Sequence, residues 1–225
     1  MMEAKLEIQK LAVIGAGVMG SAIIQGLLSK GMLKPDQIVA ADPHRERGQE
    51  LVSQFGINFT EDNLEAARGS DLLILSVKPQ ALPKVMYALR GRVDSIKLVV
   101  SIAAGVKMRM ITDGLLNSRV VRAMPNTPAQ IGRGITVWTA TSEVADAQRQ
   151  QAGQLLAAMG EEIFVEEEKL LDMATALSGT GPAYIFMFME ALIDAGVHMG
   201  FSRREAEKLV LQTMLGSVLY AIDSG

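Results

Sequence analysis

The first two thirds of the chain alternate short apolar runs with segments of helical spacing. The runs are KLAVIGA, QIVAAD, DLLILSV, KLVVSI, RVVRAM, GITVWTA and EIFV. Runs of Val, Ile and Leu with few polar interruptions are typical of strands that are buried on both faces, as in mostly parallel sheets covered by helices. The pattern therefore predicts an α/β, doubly wound fold.

The pattern changes after Val165, where the strand signals stop. Three helices are predicted beyond it: Glu167–Leu177, Pro182–Met199 and Ser202–Ala221. Ser202 followed by Glu205 forms a capping box, in which each side chain binds a free amide of the first turn. We therefore expect a doubly wound domain followed by an all-helical one, with bounds 1–165 and 166–225.

A glycine-rich segment follows the first strand directly and opens the first helix. Its residues are Gly15, Ala16, Gly17, Val18, Met19 and Gly20. In such a segment the first glycine makes a tight turn, the second admits a pyrophosphate and the third lets helix and strand pack closely. All six residues are predicted to bind a dinucleotide in a Rossmann-type domain. The alternative is a glycine-rich turn with a structural role alone.

The cofactor's adenosine half has one acidic candidate, Asp42, at the end of the second strand. A carboxylate there can bind the ribose hydroxyls of NAD and repel the 2′-phosphate of NADP. Because Pro43 follows, Asp42 can instead be the N-cap of the next helix. His44, Arg45 and Arg47 stand close enough to bind a 2′-phosphate. NADP(H) is expected, and NAD(H) stays open.

Composition excludes several functions. The 225 residues carry 22 Lys plus Arg against 25 Asp plus Glu, so nucleic-acid binding has no support. The absence of cysteine excludes disulfides, thiolate zinc sites and a cysteine nucleophile, and it favours the cytoplasm. We expect no metal site. No run reaches the roughly 18 consecutive apolar residues of a membrane span, so no membrane partner is expected.

Five segments together resemble pyrroline-5-carboxylate reductase, the last enzyme of proline biosynthesis. They are IGAGVMGSAIIQGL, Asn63 with SVKPQ, VVSIAAGV, RAMPNTPA and LSGTGPAYIFMFMEAL. The resemblance covers nearly the whole chain. It implies reduction of the C=N bond of 1-pyrroline-5-carboxylate to L-proline by NADPH or NADH. It also implies a helical second domain that pairs with a second subunit, in a homodimer or a higher homo-oligomer.

The resemblance also assigns roles to loops at the carboxyl ends of the strands. It places Asn63 and the turn Ser76, Val77, Lys78 and Pro79 around the nicotinamide ribose. Lys78 can reach a ribose hydroxyl or the substrate carboxylate. The small residues Ala103, Ala104 and Gly105 suit a flat nicotinamide ring, and Met124–Pro128 is expected to form a wall of the active site. The substrate-facing candidates are Lys78, Ser178, Gly179, Thr180 and Gly181.

No catalytic acid is predicted, because a pyrroline nitrogen can already be protonated when the hydride arrives. His198 is interpreted as a partner of a helix dipole. The all-apolar stretch Tyr184–Met189 predicts a helix buried on every side, partly between subunits.

Two alternatives remain. A hydroxyacid dehydrogenase of related fold is disfavoured, because residues 182–186 contain no lysine. A non-catalytic NAD(P)-binding protein is the second, because the Ser-Pro-Gly-Gly-Thr-Thr loop and further helices of the family have no counterpart after Gly225. We therefore expect the chain to be truncated relative to the family.

Overall fold

The computed structural model describes residues 8–93 and 95–225. Within them, the chain forms one eight-stranded sheet. The strands are β1 (Leu11–Ile14), β2 (Ile38–Ala41), β3 (Asn58–Thr60), β4 (Leu72–Leu75), β5 (Leu98–Ser101), β6 (Val120–Met124), β7 (Gly134–Ala140) and β8 (Gly160–Phe164). The helices are α1 (Val18–Ser29), α2 (Arg45–Phe55), α3 (Asn63–Ala67), α4 (Leu82–Leu89), α5 (Met108–Leu115), α6 (Asp146–Ala157), α7 (Lys169–Ala174), α8 (Gly181–His198) and α9 (Arg203–Ser224).

The sheet is mostly parallel, as the apolar runs predict. Its strand order is β3-β2-β1-β4-β5-β6-β7-β8. Strands β1 to β6 are parallel, β7 is antiparallel to β6, and β8 is parallel to β7. Strand β1 lies between β2 and β4, so the chain reverses its winding direction there. Ligands of open α/β sheets bind at the carboxyl ends of the strands beside such a reversal.

Two apolar clusters cover the two faces of the sheet. In β1, Leu11 and Val13 face one cluster, while Ala12 and Ile14 face the other. The first cluster packs the sheet against α1, α2 and α6, and the second packs it against α3, α4 and α5. Both side-chain sets of the strand are therefore buried. This explains the continuous apolar runs and confirms the doubly wound prediction.

Two local expectations differ from the structure. Strand β3 escaped the sequence pattern, because it has three residues, Asn58, Phe59 and Thr60, and lies at an edge of the sheet. One alternative left open by the sequence was that the second helix begins at Pro43, with Asp42 as its N-cap. It begins instead at Arg45, with His44 as the N-cap, so the capping alternative for Asp42 is wrong.

The C-terminal helices follow the prediction with one rearrangement. The capping box is confirmed, because the Glu205 amide donates to the Ser202 hydroxyl over 3.3 Å and the Ser202 amide donates to the Glu205 carboxylate over 2.8 Å. The first helix of the three is shorter than expected. It ends at Ala174 and widens into a π-helical turn, Thr175–Gly179.

The described residues separate into two compact units, one that ends at Gly179 and one that spans Thr180–Gly225. We call them the strand unit and the helical unit. The expected boundary lay at residue 165, fourteen positions earlier. The difference arises because the segment after β8 packs back on the sheet, where Arg122 of β6 pairs with Glu168 and Asp172.

The helical unit exposes most of its apolar side chains in a single chain. Phe186, Met187 and Phe188 of α8 are 59%, 70% and 56% exposed. A single chain leaves this helix exposed, because two helices can cover only the faces they turn to each other, and burial of the helix between subunits stays a prediction. Several large apolar side chains exposed side by side are typical of an interaction surface.

The helical run Lys169–His198 is long and apolar enough to cross a membrane by length and composition alone, with a mean hydropathy of 1.3 in its best window. It was not expected from the sequence, because charged residues interrupt it. Asp172, in its first part, pairs with Arg122 of the sheet. The first part of the run is therefore held on the strand unit.

Candidate functional site

The turn after β1 is shaped by close packing against the turn after β4. Gly15 has a φ of +102°, which favours glycine. A Cβ on Gly20 would lie 2.1 Å from the Gly15 carbonyl oxygen and 2.8 Å from the Ser76 hydroxyl. The Ser76 hydroxyl donates to the Gly15 carbonyl over 2.6 Å. Packing and backbone conformation within the protein therefore require glycine at positions 15 and 20. The Ser76 hydroxyl stabilises the turn between them.

Gly17 is different, because nothing in the protein needs it to be glycine. A Cβ there would meet no atom within 4 Å, and its φ of −75° is open to any residue. It is the N-cap of α1, with no side-chain cap and no acidic residue in the first turn. The start of α1 therefore leaves open space beside the backbone of Gly17. The amides of a helix start attract anions.

Asp42 is 5% exposed. Its two carboxylate oxygens accept hydrogen bonds from the turn after β1 and from the turn after β2. Its Oδ2 accepts the Ala16 amide over 2.9 Å, and its Oδ1 accepts the His44 amide over 2.9 Å. The His44 ring Nδ1 lies 2.8 Å from the same Oδ1. Asp42 therefore joins the ends of β1 and β2, which the sequence alone did not indicate.

These contacts keep Asp42 ionised. Burial by itself raises the pKa of the carboxyl group, but hydrogen bonds from His44 and Ala16 and the charge of Arg47 outweigh it. The pKa of Asp42 therefore lies below its ordinary value. Arg47 contributes from a distance of 3.9 Å to Oδ2. The side chains of His44, Arg45 and Arg47 are exposed beside it.

The other predicted cofactor loops lie at the same edge of the sheet, because they follow β3, β4 and β5. Asn63 is half-buried at the start of α3. Val77 is half-buried against the apolar cluster, whereas Lys78 is exposed and Pro79 leads into α4. Ala103 is buried, while Ala104 and Gly105 are exposed, Gly105 with a φ of +72°.

The substrate-facing candidates fall in different parts of the chain. Ser178 and Gly179 end the π-helical turn of the strand unit, and Thr180 and Gly181 begin the helical unit. The Ser178 hydroxyl donates to the Ala174 carbonyl over 3.0 Å. Thr180 is the N-cap of α8, which has Pro182 in its first turn as expected.

One functional candidate was missed in the sequence. Arg122 is 3% exposed in the middle of β6 and pairs with Glu168 and Asp172 of the segment around α7. The available signal was a charged residue inside the apolar run RVVRAM, which a buried strand tolerates only if the charge is paired.

Comparisons with known proteins agree with this architecture. The model described as "NADP oxidoreductase coenzyme F420-dependent" matches residues 10–105, and "Pyrroline-5-carboxylate reductase dimerisation" matches residues 168–224. Pyrroline-5-carboxylate reductase of Pseudomonas aeruginosa is 43% identical over 216 residues, which cover 96% of this chain and 79% of that protein. The chain belongs to the pyrroline-5-carboxylate reductase family.

Solved structures of the family superimpose closely on the chain. The pyrroline-5-carboxylate reductase of Coxiella burnetii gives a TM-score of 0.89 at 34% identity, covering 96% of this chain and 80% of that one. The Plasmodium falciparum enzyme, solved with NADP bound, gives 0.85 at 32% identity, covering 96% and 79%. The resemblance drawn from the five sequence segments is confirmed. A hydroxyacid dehydrogenase is thereby set aside.

Replacing Asp42 by alanine would leave the Ala16 amide buried without its acceptor. We expect the free energy of unfolding at pH 7 to fall by about 2 kcal/mol. A lowered carboxyl pKa stabilises the fold above the ordinary pKa, and this contribution is lost as the pH falls through the lowered value. The difference between the variant and the wild type should therefore shrink in acid, as measured by urea denaturation over a pH series.

The control is Asp113→Ala, because Asp113 is exposed and pairs with Arg109 at the surface. Its loss should stay within about 0.5 kcal/mol. Equal losses in the two variants would contradict the role assigned to Asp42.

Proposed function

We propose that this chain reduces the C=N bond of 1-pyrroline-5-carboxylate to give L-proline, with a nicotinamide cofactor as the hydride donor. The observation that carries the proposal is the open helix start at Gly17, in a chain that is 43% identical to a pyrroline-5-carboxylate reductase. The geometry matches the need, since the reaction requires a dinucleotide held beside a small carboxylated ring.

The protein contributes to this reaction mainly by positioning the substrate ring against the cofactor. The bound cofactor supplies the hydride, and the pyrroline carbon receives it while the ring nitrogen already carries a proton. No strong protein acid is needed, which agrees with the lack of an assigned general acid. The protein's task is to orient the ring, exclude water and bind the carboxylate.

The proposed cofactor contacts follow the carboxyl edge of the sheet. The amides of Gly17, Val18 and Met19 bind the pyrophosphate at the start of α1. Asn63 and the turn Ser76–Pro79 surround the nicotinamide ribose, with exposed Lys78 as its charged member. The loop Ala103–Gly105 presents small residues to the nicotinamide ring. Ser178 and Gly179 are the proposed substrate-facing residues of the strand unit.

We propose that NADPH is preferred to NADH. Asp42 is already bound to Ala16 and His44, so its oxygens are engaged where an NAD-specific acid binds the ribose. Arg45 and Arg47 are exposed at the start of α2 and supply positive charge for a 2′-phosphate.

The helical unit is proposed to join a second copy of the chain. Its match to a dimerisation model and the exposed apolar side chains of α8 support this. A homodimer or higher homo-oligomer would cover this surface, and we propose that the assembly works in the cytoplasm on a small-molecule substrate. The proposal includes neither a nucleic-acid nor a membrane partner.

The function is tested by mixing the protein with NADPH and 1-pyrroline-5-carboxylate and following the loss of NADPH absorbance. We expect oxidation that depends on the imine. A parallel titration of NADPH separates the alternatives. Cofactor binding without oxidation would favour the non-catalytic alternative, and oxidation with a hydroxy acid's keto form in place of the imine would refute the assignment.

Gly17→Ala should fold normally and bind the cofactor more weakly. The added methyl group has no protein neighbour within 4 Å, but it enters the space proposed for the pyrophosphate. We expect NADPH affinity to fall at least about tenfold, which corresponds to about 1.4 kcal/mol, with an unchanged melting temperature. Fluorescence titration and thermal unfolding measure the two quantities.

The matched variant for this test is Gly20→Ala, whose Cβ would lie 2.1 Å from the Gly15 carbonyl oxygen. It should lower the melting temperature, because helix and turn must separate. Wild-type NADPH binding by Gly17→Ala would mean that the pyrophosphate lies elsewhere.

Replacing both Arg45 and Arg47 by alanine should raise the KM for NADPH about 10- to 100-fold. The estimate reflects the loss of charged hydrogen bonds worth roughly 1.5–3 kcal/mol. The KM for NADH should change less than about twofold, because NADH has no 2′-phosphate. Arg109→Ala, which removes another exposed arginine, serves as the control. A similar rise for both cofactors would argue against the preference.

A further inference from the structure

Strand β6 and the loop after it bind the segment around α7 at two separate points. The first is Arg122, a buried guanidinium whose two terminal nitrogens lie 3.0 Å from Glu168 and 2.6 Å from Asp172. The acids are four positions apart and so share one side of the chain as it enters the helix. Because the Arg122 guanidinium is planar, it can reach both acids only when α7 is in one orientation about its axis.

The same ion pair reaches the proposed cofactor site. The Glu168 oxygen that accepts from Arg122 also accepts the Met108 amide over 2.7 Å. Met108 begins α5, three residues after Gly105, the last residue of the loop Ala103–Gly105. One ion-pair cluster therefore joins β6, the segment around α7 and the start of α5. Its guanidinium is buried, whereas Glu168 is 28% and Asp172 56% exposed. Because a buried guanidinium is costly unless it is paired, Arg122 favours the arrangement in which both acids reach it.

The second point is Asn126, whose amide uses both of its ends. Its Nδ2 donates to the Ser178 carbonyl over 3.2 Å, and its Oδ1 accepts the Ile135 amide over 3.0 Å. The donor and the acceptor each have one partner of the right kind, which fixes the orientation of the amide. Asn126 thereby ties the π-helical turn to the start of β7.

The turn that these two residues hold is unusual. π-helical turns are rare and occur often at functional sites. Gly179 allows Met124 to lie against this one, because a Cβ on Gly179 would be 2.5 Å from the Met124 methyl group. The Thr175 and Ser178 hydroxyls donate back to the Leu171 and Ala174 carbonyls of the preceding turn. The turn is thus packed against Met124 and hydrogen-bonded to Asn126 near its C-terminal end.

We infer that Arg122 and Asn126 are positioning residues, which fix the turn Thr175–Gly179 so that Ser178 and Gly179 stand at the proper place for the substrate. This inference rests on the proposed function of that turn. Asn126 lies in the loop Met124–Pro128 that is expected to form a wall of the active site, but the role inferred for it is its hydrogen bond to the Ser178 carbonyl. Displacement of a positioning group by about 1 Å can cost about 100-fold in rate, so loosening the turn should be visible in kinetics.

The first test uses Asn126→Asp, which keeps the size and shape of the side chain. The carboxylate can still accept the Ile135 amide, but it meets the Ser178 carbonyl with an acceptor in place of a donor. We expect kcat/KM for 1-pyrroline-5-carboxylate to fall about 10- to 100-fold at saturating NADPH, with the NADPH dissociation constant within about twofold of the wild type. Hydrogen exchange of the amides in residues 175–179 should become faster.

Asn117→Asp is the matched control. Asn117 is also buried, it donates to the Val93 and Ile96 carbonyls, and it accepts the Arg119 amide. It precedes β6 at the end opposite to the turn. Its variant should lower the melting temperature while leaving kcat/KM and the exchange of residues 175–179 unchanged. All kinetics are measured at a temperature where circular dichroism shows each variant to be folded.

Arg122→Lys tests the first point in the same way. It keeps the positive charge, but a single ammonium group cannot reproduce the planar fork between Glu168 and Asp172. Faster exchange of residues 175–179 and a lower kcat/KM are expected here too.

The outcomes separate the inference from the function on which it rests. If Asn126→Asp leaves the exchange of residues 175–179 unchanged, or lowers kcat/KM no more than Asn117→Asp does, the inference is wrong. An inactive wild type would refute the proposed function instead. The exchange measurement would then still decide whether Asn126 holds the turn.

Discussion

The close approach of α1 to the turn after β1 is the constraint on which the proposed cofactor site, at the carboxyl edge of the sheet, depends. Gly20 lies so near the Gly15 carbonyl that no side chain fits between them, and the Ser76 hydroxyl closes the same contact from β4. This brings the positive end of α1 to the point where β1, β2 and β4 end together. Because Asp42 then binds the Ala16 amide, the neighbouring strand is fixed to the same turn. The geometry is set by backbone packing, which any larger residue would displace.

A second kind of constraint operates at β6, three strands away from β1 in the sheet. There, polar side chains fix neighbouring segments to each other, as the close glycine contacts do at β1. Arg122 and Asn126 reach from β6 and its loop to a segment about fifty residues later in the chain, and the division between the two units falls just beyond the turn they hold. The segment from Glu168 to Gly179 is therefore part of the strand unit physically, although the dimerisation model of the family begins at residue 168. The domain boundary therefore lies at residue 168 by sequence similarity and at Thr180 by contacts within the structure.

Much of this could be predicted from the sequence, because the signals are local. The apolar strands, the glycine motif and the Ser202 cap are each decided within a few residues. The parts that escaped are non-local. Strand β3 has only three residues and gains its pairing from β2. Asp42 suggested a ribose ligand or a cap, whereas its partner is an amide 26 positions away. Arg122 finds its acids 46 and 50 positions away, and no spacing rule connects them.

The helical unit has a consequence for how the protein behaves when it is diluted. Of its residues, all of which the structure describes, only Gly181 and Ala206 are buried. Two helices with so small an interior gain little stability from their own packing. If a second copy covers their exposed face, as proposed, mass action links the order of this unit to protein concentration. The strand unit has two apolar clusters of its own, so the same link would be weaker there. Dilution would then loosen the helical unit before it affects the sheet.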